Sequence, residues 1–193
     1  MKNAGIDPNR SDYRKIAAKL VGPRQWIGLR YYVGQVKQVG NLRLASEQQA
    51  FLSKLKAADP RISVHLGRIE ERVAKSAAAV ELLAYLADLR TRIDPAIFSE
   101  LLALGERHKS SQVMVEKGVD VMLAVDLVVM AERNEFDVAY LLSADGDYTH
   151  AASVVRAHDK KMFAASASYG AQLAREVDSY IRLTTTWFSD CLA

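Results

Sequence analysis

Cysteine is all but absent, since Cys191 is the only one in 193 residues. Neither a disulfide framework nor a thiolate zinc site can be built from it. Long apolar runs are missing too: Val121 to Met130, the most apolar stretch, is interrupted by Asp126. Nothing approaches the roughly 18 apolar residues that a membrane span requires. No basic-then-apolar leader opens the sequence, and no internal repeat or low-complexity segment occurs in it. His65, His108, His150 and His158 lack the spacing of metal ligands. These absences predict a cytoplasmic protein in a reducing compartment, without a membrane partner.

Apolar side chains make up 50% of the chain, enough for a full core, and the length favours one domain. The net charge of +3 hides an uneven distribution. From Met1 to Ala45 nine Lys/Arg face only Asp7 and Asp12. From Ser110 to His150 the balance reverses, with Glu116, Asp120, Asp126, Glu132, Glu135, Asp137, Asp145 and Asp147 against Lys117 and Arg133. A cation site beside a polyanion track would need this arrangement, and solvated faces would also produce it.

Asp12 to Gly22 reads as a helix with an acidic start and a Gly-Pro stop, and Ile27 to Val36 as a strand rich in branched and aromatic residues. Ser46 to Ala57 has a helical period with Ser46 as its cap, ended by Asp59-Pro60. Ile62 to Ile69 alternates like a second strand. Helices over Ala77 to Leu89 and Pro95 to His108 then delay the next strand by about forty residues, which marks residues 75–110 as a helical insertion, a lid or a dimer surface. Val113 to Gly118 leads into a helix from Val119 to Arg133, apolar almost all round and expected to be buried on most sides. A strand over Val138 to Leu142, a helix over Tyr148 to His158, a strand over Lys161 to Ala165 and a helix over Gly170 to Tyr180 complete the pattern. Such alternation predicts an α/β fold with a mostly parallel sheet covered on both faces.

Ligands of such sheets collect where strands end and loops begin. Ser143-Ala-Asp-Gly-Asp147 occupies that position after the strand ending at Leu142. Asp145 and Asp147 could share a hard cation, Mg²⁺ or Mn²⁺, and the small neighbours would let a metal or phosphate approach. An Asp-Gly turn with a helix cap explains the same residues. Asp120, in the first turn of the apolar helix beside Gly118, is the next candidate ligand. Asp126 lies six residues on, about 120° around the helix, so it cannot share that direction and serves as a supporting residue or a structural anchor. Lys117 and Ser143 are candidate phosphate contacts, although a lysine such as Lys117 is more often a solvated surface residue.

Lys117-Gly-Val-Asp120, Ala124-Val-Asp126, Leu141-Leu-Ser-Ala-Asp-Gly-Asp-Tyr148 and Val155-Arg-Ala-His-Asp-Lys-Lys161 together resemble the NYN family of PIN-like ribonucleases, the LabA-like group. The resemblance is close over Val113 to Leu183, looser over Asp12 to Ile69 and absent for the helices between. It implies a Rossmann-like, three-layer PIN-type domain that cleaves single-stranded RNA with Mg²⁺ or Mn²⁺. Catalytic roles would fall on Asp120, Asp126, Asp145 and Asp147, with metal ligation by Asp120, Asp145 and Asp147. One part of the pattern is missing: a first strand ending in Asp-Gly-x-Asn does not occur before Asp12. Met1-Lys-Asn-Ala-Gly5 reads instead as the tail of the helix that would follow it. The expectation is a single domain over 1–193, N-terminally truncated and lacking its first central strand. A degenerate module that binds RNA or protein without cleaving is the main alternative. Asp145-Gly-Asp-Tyr-Thr149 also fits the opening motif of haloacid-dehalogenase phosphatases, but no acidic pair follows in the remaining residues.

Overall fold

The computed structural model describes residues 5–37 and 41–192. It is an α/β structure that divides into two compact units, Met1–Arg68 with Gly118–Ala193, and Ile69–Lys117.

The first unit opens with α1 (Tyr13–Val21), whose bounds follow from its ends. The Asp12 side chain accepts from the N–H groups of Arg14 and Lys15, and Gly22 stops the helix at φ 63°, a conformation that glycine adopts without strain. Strand β1 (Leu29–Gln35) follows and pairs in parallel with the first half of β2 (Ile62–Lys75), Leu29 opposite Ile62 and Gln35 opposite Arg68. Between them α2 spans Leu42–Ala58 and begins four residues before the expected Ser46. Asn41 occupies its N-cap without a side-chain capping bond, and no breaker separates Leu42 to Ala45 from the rest, so the helical run extends back through them. Tyr13 of α1, Leu55 of α2 and Ile62 of β2 form one apolar cluster with Phe51 and Tyr31 against it.

Helix α5 (Val119–Glu132) returns the chain to this unit. It leads to β4 (Val138–Leu141), α6 (Thr149–Ala157), β5 (Lys161–Ser166), α7 (Ala171–Glu176) and β6 (Ser179–Arg182). Strands β4, β5 and β6 are parallel neighbours in that order. Alternation along β5 divides the packing: Met162 and Ala164 join Val155, Leu173 and Tyr148 in one core. Ala165 joins Ile16, Leu20, Phe188 and Cys191 in another. The sheet is therefore covered on both faces, which gives three layers.

Three features differ from the sequence reading. The sheet is divided, with β1-β2-β3 and β4-β5-β6 as separate three-stranded sets. The last helix ends at Glu176 rather than Tyr180, and the residues beyond it form β6. A long-range contact explains this, because Asp178 exchanges hydrogen bonds with the Met162 backbone and commits the following residues to the sheet. Helix α5 is the third case: only Val119 and Ala131 are buried, while Val121 and Val125 are 67% and 54% exposed. Leu123, Ala124, Leu127 and Met130 pack on the β4–β6 core, but Asp126 makes polar contacts with β1. One flank is thus held by charge and hydroxyl groups rather than by apolar burial.

The second unit contains the remainder of β2, α3 (Ala77–Leu89), α4 (Pro95–His108) and β3 (Ser110–Lys117), which neighbours β2. Both helices match the expected bounds because their caps are local. Ser76 accepts from the Ala79 N–H, and Asp94 accepts from Ala96 and Ile97 with Pro95 in the first turn. Of the expected N-terminal helix tail, Met1 to Ala4 lie outside the described residues, and Gly5 has φ 69°.

The Asp178 latch can be tested. The Met162 N–H donates to its carboxylate at 2.9 Å, with Lys161 at 3.3 Å and Arg156 at 3.6 Å. Chiefly that backbone donor, against the opposing effect of burial and with help from the two cations, holds the carboxyl below the ordinary carboxylate range. A pKa lowered by folding stabilises the native state above the unfolded pKa of about 4 and loses that contribution as pH falls through the folded value. Asp178→Asn should lower stability by about 1 kcal/mol at neutral pH in urea unfolding. The gap from wild type should close in acid; equal stability at neutral pH would contradict the latch.

Candidate active site

Leu141 ends β4, and the chain then turns through Ser143 to Asp147. The Ser143 hydroxyl accepts from the Asp145 N–H at 3.1 Å, and the Asp145 carboxylate accepts from the Asp147 N–H at 3.0 Å. Asp145 thereby caps the short 3-10 turn Gly146–Tyr148 that leads into α6. The turn reading of this segment is realised, and it leaves Asp145 and Asp147 exposed at the end of a parallel strand.

Gly118 takes φ 76° at the entry of α5, so Asp120 lies in the first helical turn. Its carboxylate accepts from the Tyr148 hydroxyl at 2.6 Å. Tyr148 is only 4% exposed and belongs to the main core, so its oxygen needs a partner and finds it in Asp120. Tyr148 closes the motif read from the sequence but was assigned no role there. Its signal was an aromatic directly after Asp145-Gly-Asp147, where a buried ring with a polar tip fixes the loop from below. The loop is also backed by α7. A Cβ on Gly170 would run into the Ala144 carbonyl, and one on Gly146 would meet the Gln172 side chain.

Tyr148 thus ties Asp120 to the loop of Asp145 and Asp147. Among the described residues no three His, Cys, Asp or Glu side chains converge as a ligand group. The donors at this place are all carboxylate oxygens, which fits a hard cation that keeps several waters and takes only one or two protein carboxylates. It does not fit zinc with sulfur or imidazole ligands.

A family model for the NYN domain matches residues 62–184. The chain belongs to the NYN domain family. NYN domains are part of the PIN-like ribonuclease superfamily, whose members are generally ribonucleases and typically use divalent metals. No curated protein and no solved structure matches the chain. The matched span contains Asp120, Asp126, Asp145 and Asp147.

Asp126 has partners of its own in this NYN domain. Its carboxylate accepts from the Tyr32 hydroxyl at 2.8 Å and from Arg30 at 3.3 Å, with His65 Nδ1 at 3.7 Å. Tyr32 stacks on His65 with ring centroids 4.7 Å apart, and Ser63 Oγ lies 3.0 Å from His65 Nε2. Register explains the cluster, since Arg30 pairs with Ser63 and Tyr32 with His65, so all four share one face. Burial lowers the pKa of His65, and Arg30 lowers it further against the pull of Asp126. Lys117 ends β3 in the second unit.

The basic N-terminal segment is largely engaged within the first unit. Arg14 pairs with Asp12, Lys19 with Asp190, Arg30 with Asp126 and Glu135, and Arg43 with Glu47. Arg24 donates to the Tyr140 hydroxyl at 3.0 Å and lies over the Phe163 ring. Arg10, Lys15 and Lys37 are exposed.

The two glycines make a paired test of the loop's support. Gly170→Ala meets backbone and should cost about 2 kcal/mol in urea unfolding, because the Ala144 carbonyl must move. Gly146→Ala meets the far end of a flexible side chain that can swing aside, and should cost less than half of that. Equal costs would refute the close backing of the loop.

Proposed function

We propose that this NYN domain hydrolyses phosphodiester bonds in single-stranded RNA with Mg²⁺ or Mn²⁺, using Asp120, Asp145 and Asp147. The observation that carries the reading is the 2.6 Å contact from Tyr148 to Asp120, which holds the helix carboxylate to the loop bearing the other two. One or two of these carboxylates would hold the cation directly, the others acting through its waters, with phosphate oxygens completing the shell. When bound, the metal polarises the scissile phosphate and makes a bound water more acidic. Asp145, fixed by its own turn, keeps its carboxylate oriented at the strand end, and Asp120 sits in the first turn of α5, where the helix dipole favours an anionic group. Ser143 offers a hydroxyl beside them, and exposed Arg10, Lys15 and Lys37 supply positive charge for a phosphate backbone. Asp126, bound by Arg30 and Tyr32, acts through the position of α5 rather than on the substrate.

A second reading has an observation in its favour. With Asp120 occupied by Tyr148 and no three ligands converging among the described residues, the domain would bind RNA without cutting it. Cleavage of a labelled single-stranded RNA separates the two. Activity should require Mn²⁺ or Mg²⁺, vanish in EDTA, and fall by about 100-fold or more in Asp145→Asn and Asp120→Asn. Cleavage that survives EDTA would overturn the proposal, and metal-independent RNA binding without cleavage would establish the binding module instead.

A further inference from the structure

The parallel strands β4, β5 and β6 end side by side, and each end carries a different chemistry. Beyond β4 stand the exposed carboxylates of Asp145 and Asp147. Beyond β5 the chain turns into α7 and presents Tyr169, at 66% the most exposed aromatic ring among the described residues. Strand β6 ends in Arg182, opposite Ser166 at the end of β5. Arg182 is exposed, and its guanidinium has no ion-pair partner among the described residues. With strands about 4.8 Å apart, the ends of β4 and β6 stand about 10 Å apart across the sheet. The tyrosine turn is held from two sides. The Tyr180 hydroxyl accepts from the Gly170 N–H at 3.1 Å and donates to the Ser168 carbonyl at 2.5 Å. Its ring meets that of Tyr169 in a T-shaped contact, centroids 5.5 Å apart, so Tyr169 is exposed yet restrained. On the other side Gly170 lies against the Ala144 carbonyl, which precedes Asp145. Tracing the backbone through that contact puts the Cα atoms of Tyr169 and Asp145 within about 12 Å. Along β6, Tyr180 packs on one core and Ile181 on the other, so alternation returns Arg182 to the face of Tyr180.

We propose that single-stranded RNA crosses these strand ends, with a base near the cleaved phosphate stacked on Tyr169 and the phosphate beyond that base held by Arg182. The path rests on the reading of the Asp145 loop as a nuclease centre, and it names the side chains that seat the strand there. An aromatic face accepts any base, so this platform supplies affinity without sequence preference. A ring already restrained by Tyr180 loses little further freedom when a base covers it. The guanidinium of Arg182 matches phosphate oxygens in charge and geometry. The order across the sheet, carboxylate loop, then ring, then cation, follows the phosphate, base and phosphate of a nucleotide chain.

Fluorescence anisotropy of a labelled oligouridylate with the full chain in EDTA reads binding apart from cleavage. Tyr169→Ala should weaken binding by about 10-fold or more with unchanged circular dichroism, since the ring is exposed, while Tyr169→Phe should retain it because stacking needs only the ring. On an abasic ribose-phosphate chain the wild type and Tyr169→Ala should bind alike. Arg182→Gln should weaken binding to both chains and reduce the salt slope by about one phosphate contact. Wild-type affinity in Tyr169→Ala, an equal loss on the abasic chain, or a salt slope indifferent to Arg182→Gln would overturn the path. Binding that follows these variants without cleavage in Mn²⁺ would support the path and refute the hydrolysis. Cleavage in Mn²⁺ with Tyr169→Ala binding like the wild type would refute the path and leave the hydrolysis standing.

Discussion

A phenol ring at 4% exposure with its oxygen 2.6 Å from a carboxylate constrains two elements at once. The ring of Tyr148 is gripped by the core that β4, β5, α6 and α7 share, so its hydroxyl has little freedom. Asp120 must come to it, which sets the level of α5, and the preceding residues Asp145 to Asp147 must turn tightly enough to leave the ring behind them. The exposed carboxylates are consequently held by a buried group, although none of them is buried itself. Hydrogen bonds to charged acceptors are short and strong, and this one links a loop to a helix 28 residues earlier in the chain.

A similar logic governs the other flank of α5. An aspartate in an apolar helix costs stability unless it is paired. Asp126 is paired three ways, and its partners come from the face that β1 and β2 share. Arginines that appeared in the sequence as a basic tract are thus divided between structural duty and solvent. Arg30 and Lys19 hold acidic side chains, and Arg24 lies on Phe163, so net charge along a segment overstates what a polyanion could meet.

Helix ends were readable from the sequence wherever the cap and its target lie within a few residues. Asp12 with Gly22, Ser76, and Asp94 with Pro95 each place a boundary through local hydrogen bonds. The start of α2 was not readable, because the Asn41 side chain makes no capping bond and good helix formers continue past Ser46 in both directions. Strand β6 escaped for a different reason: Ala171 to Val177 is helical in pattern, and only the contact of Asp178 with Met162 ends it. The aspartates of the candidate site were legible because strand-end position and residue type coincide. Tyr148 was not, because its importance rests on burial, which spacing does not reveal. The exposure of Val121 and Val125 shows the converse error, an apolar pattern taken as proof of cover.

Cys191 is 1% exposed, packed with Ile16, Leu20 and Phe188, and its carbonyl accepts from the Asp12 N–H at 2.8 Å. Burial, reinforced by Asp190, pushes its thiol above the ordinary range. A sulfhydryl placed there is silent toward electrophiles until the C-terminal turn lifts away from α1. The fold therefore contains its own chemical clock, in which the rate of alkylation at one atom records how often its two ends part company.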